Sequence, residues 1–348
     1  MRLERIVPGR RAPAGLTGAV LTRDLSVAGQ RWSKGRRLTT EDLDELGDAQ
    51  AGNPVTVLLP DPGEIHEDEA ALRLARAASG DDPGVTLRGP AQSRVDLVAA
   101  VPGVVAIRLA ALERLNRLDP LEVFTVFDGQ VVASGDLVAS VKIGPHLVPD
   151  AVLSTGEALA RRGGPLVVVR GFRPARIAVL VKEHVTGAAR ERFEASVRAK
   201  AAGLGATLAA IDYVPDEPAA VTDALAAAIR GRGGARIVLT AGGASTDPAD
   251  PFHLAVHALG GRIVRHGVPS HPGSMLWLGR IGRVAIIGLP SCGAYSRATA
   301  FDLLLPRLVA GEPATAATVA RLGHGGILNR SQRFRFPAYA RDLDAPDG

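Results

Sequence analysis

The sequence predicts an α/β protein, with a doubly wound, mostly parallel sheet in its C-terminal part and a mixed α+β region before it. Three observations carry this. From Arg176 onward, apolar runs alternate with helical stretches of about 10–16 residues, the pattern of parallel strands joined by crossovers. Before that point the chain reads as short strands and helices separated by turn signals, among them Asp128-Gly129, a strong hairpin turn. Between Gly163 and Pro174 the pattern changes, which sets a domain boundary near residue 173.

In chain order, Gly18–Leu25 alternates as a strand, the chain turns through Gly35, and Thr39 or Thr40 caps a helix around Glu41–Leu46 whose first turn is acidic. Val55–Leu59 is a short strand ended by Pro60. His66-Glu67-Asp68-Glu69 opens a helix with Ala71, Leu72, Ala75 and Ala78 on its apolar face; the acids from Glu64 to Glu69 suit the positive end of its dipole. Asp81–Pro83 and Gly89-Pro90 punctuate the chain. Val95–Leu118 reads as a helix, a turn at Pro102-Gly103 and a second segment ending in a helix, and two β-rich runs flank Asp128-Gly129.

In the C-terminal part, the expected elements are strand 177–181, helix 188–205, strand 207–214, helix 218–230, strand 236–240 and helix 252–260. Extended segments follow around Arg262–Val268, Met275–Gly279 and Arg283–Leu289, then a helix over about Arg297–Ala310. This domain is expected over 174–328, with residues 329–348 as an irregular tail. No internal repeat is evident.

Composition narrows the function. At 46% hydrophobic and 22% charged, the 348 residues suit a globular protein with one or two domains. The net charge of +5 comes from scattered arginines without interleaved aromatics, which argues against nucleic acid and suits a small anion. Cys292 is the only cysteine, so no intrachain disulfide and no cysteine-based metal cluster can form. With no membrane-length apolar stretch and no leader-like N-terminus, the expectation is a soluble, cytoplasmic protein.

In a doubly wound sheet, ligands bind beyond the carboxyl ends of the strands. The loop there, Thr240 to Asp250, holds Gly242-Gly243, whose amides can approach an anion, together with Ser245, Asp247 and Asp250. The plainer alternative is a strand-to-helix turn with Asp250 as N-cap ahead of Pro251. Two more loops fall where the same cleft gathers them, Gly267–Ser274 and Gly288–Gly293. His271 is a candidate ligand contact. His253 and His257, spaced i, i+4, read as ordinary helix surface, and Cys292 reads equally as a contact or as a buried small residue.

These three segments resemble the pterin-binding domain shared by molybdopterin adenylyltransferases and molybdopterin molybdotransferases. The Gly-Gly-x-Ser loop is matched by Gly242, Gly243, Ser245 and Asp250, with Asp247 replacing a glycine. The Pro-Gly-Lys-Pro segment is matched by Pro272-Gly273-Ser274-Met275 and the apolar residues after it. The Gly-Leu-Pro-Gly-Asn-Pro loop is matched by Gly288-Leu289-Pro290-Ser291-Cys292-Gly293, and Leu308–Gly311 is also alike. The whole chain is similar to stand-alone molybdopterin-binding proteins associated with molybdenum hydroxylases, which carry segments like Lys142–Pro149 and Gly63–Ala75.

The resemblance implies a ligand, molybdopterin or molybdenum cofactor, bound by Thr240, Gly242, Gly243, Ser245, His271, Pro272, Gly273, Ser274, Pro290, Ser291 and Cys292. It implies a homo-oligomer acting in cofactor biosynthesis, through adenylyl or molybdate transfer with ATP and with Mg²⁺ held by Asp250 as catalytic residue. The alternative is a non-catalytic carrier for a molybdenum hydroxylase apoenzyme. Two departures weigh toward the carrier: the family lysine is Ser274 here, and the acidic loop after the first strand is replaced by Lys182–Gly187.

Overall fold

The computed structural model describes residues 1–182, 185–231, 233–243, 246–289 and 298–341. The chain divides into two units. The first comprises 1–101, 107–128 and 134–169; the second comprises 102–106, 129–133 and 170 onward. The second unit therefore takes two short pieces from the region before residue 173, which no local sequence signal marks.

The first unit is mixed α+β and antiparallel. Arg2–Ile6, Val55–Leu59 and Val20–Leu21 make one sheet; Leu121–Thr125, Leu137–Ile143, Arg94–Ala99 and Val85–Ala91 make another, in that order. Thr39 caps helix Thr40–Asp48 in a reciprocal box with Asp42. Helix Glu67–Ser79 buries Ala70, Ala71, Leu74, Ala75 and Ala78, so Leu74 takes the core position expected of Leu72, which is half-buried.

Two sequence expectations for this region change. Residues 94–99 form a strand and not a helix, because Val95 and Leu97 are fully buried and the segment is paired on both sides. The runs flanking Asp128-Gly129 do not pair with each other: Leu121–Thr125 pairs with Leu137–Ile143, and Val131–Val132 pairs with Gly103 and Val104. A two-residue strand carries too few ladder bonds to hold a local hairpin against those longer pairings.

The second unit contains the expected doubly wound domain. Its elements are β1 (Arg176–Val181), α1 (Gly187–Gly203), β2 (Thr207–Tyr213), α2 (Pro218–Ile229), β3 (Ile237–Ala241), α3 (Pro251–Ala258), β4 (Arg262–His266), β5 (Trp277–Ile281), β6 (Val284–Leu289) and α4 (Ala300–Val309). The sheet order is β2-β1-β3-β6-β5-β4, parallel through β6 and antiparallel at β5 and β4.

Strand alternation feeds two cores. Val179, Leu239 and Ile287 face α1 and α4, where Phe193, Val197, Phe301 and Leu304 are buried. Ala178, Leu180, Val238 and Ile286 face α2 and α3, meeting Val221, Leu225, Phe252 and Val256. Each large apolar side chain so buried stabilises the fold by about 1.5–3 kcal/mol. Both faces being covered explains why these strands read as continuous apolar runs.

The described part of the tail, residues 329–341, is more regular than expected. A 3₁₀ turn at Arg330–Arg335 and a short helix at Ala338–Arg341 follow Leu328, and Phe336 and Ala340 are buried in the α1/α4 core. The aromatic anchor is Tyr339, packed where Gly203 of α1 leaves no side chain: a Cβ there would meet its ring at 2.5 Å.

Candidate functional site

The parallel register aligns the carboxyl ends of β1, β3 and β6. Val181 pairs with Ala241, and Ala241 pairs with Leu289, so Lys182 and Gly242 leave the sheet side by side, and the Lys182 N–H donates to Ala241 O at 3.1 Å. Ser245 and the segment Pro290–Arg297, with Pro290, Ser291 and Cys292, lie outside the described residues.

The Gly-rich loop is built for close approach. Thr240 is fully buried within the sheet. Gly242 takes φ +86°, which glycine adopts without a Cβ penalty. A Cβ on Gly243 would stand 3.2 Å from the Phe252 ring and 3.5 Å from Asp250 Oδ1, so the absent side chain leaves a cradle.

Asp250 is the N-cap of α3: its Oδ1 accepts from the Phe252 N–H at 2.9 Å. Its Oδ2 lies 2.9 Å from Lys182 Nζ, and the two side chains are 3% and 6% exposed. Lys182 also reaches Asp216 Oδ1 at 2.8 Å. Burial pulls the Lys182 ammonium's pKa down, but the two carboxylates outweigh it and hold the net value above the ordinary lysine range. Lys182 is a functional candidate that lies outside the three motif loops. Its signal was position, the first residue beyond an internal parallel strand.

His253 is a second residue misjudged from sequence. The spacing with His257 suggested surface; His257 is exposed, but His253 is 2% exposed. Its Nδ1 lies 2.9 Å from Asp247 O, its ring stands edge-on to Trp277 at 4.8 Å, and its Nε2 has no partner among the described residues. Desolvation lowers its pKa, leaving a neutral imidazole that staples the loop at Asp247.

The Pro-Gly segment meets the amino end of α4. The His271–Pro272 peptide is cis, and Pro272 O accepts from the Ala300 N–H at 2.9 Å. Gly273, at φ +110°, approaches so closely that a Cβ would lie 2.8 Å from Ala300 N. Among the described residues Ser274 is held through its backbone, its carbonyl accepting from Val268 N–H at 2.9 Å. His271 is exposed, with its backbone bridged to Ile327. Since β5 begins at Trp277 opposite Gly288, this segment enters from the edge where Lys182 and Gly242 leave. Gly288, one of the motif glycines, serves packing: a Cβ there would overlap the Trp277 indole.

A family model described as a "probable molybdopterin binding domain" matches residues 151–310. Those residues are a domain of that family. The match covers β1 to α4 and all three loops named above. Among solved structures, the chain is similar to the molybdopterin biosynthesis enzyme MoaB from Thermus thermophilus, at 26% identity over 40% of this chain and 99% of that one, with a TM-score of 0.30. It is similar to the molybdopterin biosynthesis MoeA protein from Pyrococcus horikoshii, at 15% identity over 75% and 81%, with a TM-score of 0.31. It is also similar to a molybdenum cofactor biosynthesis protein B, at 18% identity over 44% and 93%, with a TM-score of 0.27. At those TM-scores the overlaps carry no argument of their own. A comparison with curated proteins finds no match.

Among the described residues, no group of three metal-ligating side chains occurs, and no helix is long and apolar enough to cross a membrane.

Proposed function

We propose that the molybdopterin-binding domain holds molybdopterin, or the molybdenum cofactor made from it, at the carboxyl edge of β1, β3 and β6, and passes it on without turning it over. The observation that carries this is the Lys182–Asp250 pair beside the bare Gly243 backbone. In this reading the pterin phosphate lies on the Gly242 and Gly243 amides, with Ser245 adding a hydroxyl. His271, Pro272, Gly273 and Ser274 form one wall, and Pro290, Ser291 and Cys292 the other. Lys182 supplies the positive charge that Ser274 does not. Asp250 has one oxygen on a helix amide and the other on an ammonium, so a magnesium ion there would have to displace Lys182. The recipient would be an apoenzyme of the molybdenum hydroxylase kind. The test is titration with molybdopterin: Lys182→Met should weaken binding by about tenfold or more, the worth of a lost charge-assisted contact, and no Mg²⁺- and ATP-dependent product should form.

One observation favours a second reading. Lys182, Asp216 and Asp250 together sum to one negative charge, an unfavourable neighbour for a phosphate unless a cation joins them. Mg²⁺ brought with ATP would then be held by Asp250 for adenylyl or molybdate transfer, since magnesium is commonly bound through one or two carboxylates plus substrate phosphates. Mg²⁺-dependent turnover that Asp250→Asn abolishes would decide for it.

A further inference from the structure

At the opposite edge of the same sheet lies a cleft of about 660 Å³ that belongs to none of the motif loops. It runs under the amino ends of the parallel strands, and its lining includes Arg173, Arg176, Arg236, Arg280 and Arg283. The topology dictates the convergence. Arg176 opens β1, and its carbonyl accepts from the Arg236 N–H at 2.9 Å; the Arg236 carbonyl accepts from the Ala285 N–H of β6 at 3.1 Å. Ala285 pairs with Arg280 of β5, and Arg283 sits in the turn between β5 and β6. Neighbouring strands lie about 4.8 Å apart, and this pairing brings arginines from adjacent strand ends to the lining of one cleft.

Among the described residues, none of these five guanidinium groups has an ion-pair partner. The one carboxylate in the lining, Glu312, is 2% exposed at its side chain and engaged by Arg170 at 2.9 Å and by Arg307 at 3.3 Å. Like charges gathered at one cleft repel one another, and a bound anion would offset that cost. Guanidinium forks match phosphate oxygens in pairs. The volume is that of a small-ligand site, and no aromatic side chain lines it, which single-stranded nucleic acid would use for stacking.

We infer that this cleft is a second binding site, distinct from the pterin loops, for an oligophosphate group, either as inorganic oligophosphate or as the phosphate chain of a nucleotide. The strands separate it from the carboxyl-edge site by roughly 15–20 Å, five to six residues at strand rise. Arg236 and Arg283 are exposed, and neither side chain takes part in the sheet ladder, so both can be changed without touching the core.

Calorimetric titration of the full chain with sodium tripolyphosphate, and separately with ATP in the presence of EDTA, tests the inference. Both probes should bind, more weakly as salt rises. Arg236→Glu and Arg283→Glu should each weaken binding by about ten- to a hundredfold, the worth of a lost hydrogen bond to a charged group, with melting temperature unchanged. Gly243→Val, at the other edge, should leave tripolyphosphate binding intact. Equal affinity for the two probes would assign recognition to the phosphates alone, as inferred. Absence of binding to both, indifference to the charge reversals, loss of binding in Gly243→Val, or binding of single-stranded DNA without oligophosphate binding would each overturn it.

Discussion

Lys182 Nζ and Asp250 Oδ2 stand 2.9 Å apart in a nearly dry setting, the lysine leaving β1 and the aspartate capping α3. The pair ties the first strand's carboxyl end to the loop after β3, at the edge where the proposed site lies. Losing one partner of a buried pair costs up to about 3–5 kcal/mol, less here because Lys182 keeps the exposed Asp216 carboxylate. Asp250→Ala should therefore lose stability beyond the ~0.5–2 kcal/mol of a lost N-cap, and Asp250→Asn, which still caps, should fall between Ala and wild type. Urea unfolding measures the order; Asp250→Asn as stable as wild type, with only Ala destabilised, would reduce Asp250 to a cap.

The same pair has a pH signature. Because the folded lysine titrates above its ordinary 10.5, its stabilisation is complete below that pH and disappears as pH rises through the folded value. Melting temperature should drop on the alkaline side of pH 10.5, and Lys182→Met should flatten that limb. An unchanged limb would show that the pair contributes nothing to folding.

His253 acts at the other end of the scale. Its pKa is lowered from 6.5, so below that value the unfolded chain takes up a proton that the folded chain resists, and stability falls with pH. His253→Leu should reduce the loss of melting temperature on going from neutral to mildly acidic solution. A slope identical to wild type would mean that the imidazole is protonated in place.

Two glycines separate packing from binding. Gly273→Ala forces a Cβ to 2.8 Å from Ala300 N at φ +110°, and should cost about 1–3 kcal/mol from the backbone strain alone. Gly243, whose φ is unexceptional, has more room. Gly243→Ala should fold with little loss, whereas Gly243→Val should fold and lose pterin. A folded valine variant with full affinity would take the loop out of the site.

The doubly wound sheet was legible because each internal strand is apolar on both faces and each crossover helix carries its own punctuation, as with Glu217-Pro218 before α2 and Asp250-Pro251 before α3. Two backbone requirements were legible too: Gly242 takes a positive φ, and Gly273 stands where contact forbids a side chain. What the sequence concealed depends on distant partners. Lys182 and Asp250 are 68 positions apart, and only the register of β1 on β3 joins them. Val95–Ala99 is as compatible with a helix as with a strand until its two antiparallel neighbours are known, and Tyr339 gains its place only from the gap at Gly203.

The central claim is that pterin occupies the carboxyl edge beside Gly243 and Lys182. The most direct measurement is the pterin content, read by fluorescence after oxidation, of wild-type, Gly243→Val and Lys182→Met proteins purified from a molybdenum-replete host. The account predicts pterin near one equivalent per chain in wild type and a large loss in both folded variants. Wild-type protein free of pterin and unable to take up added molybdopterin, or variants that retain it in full, would contradict the account.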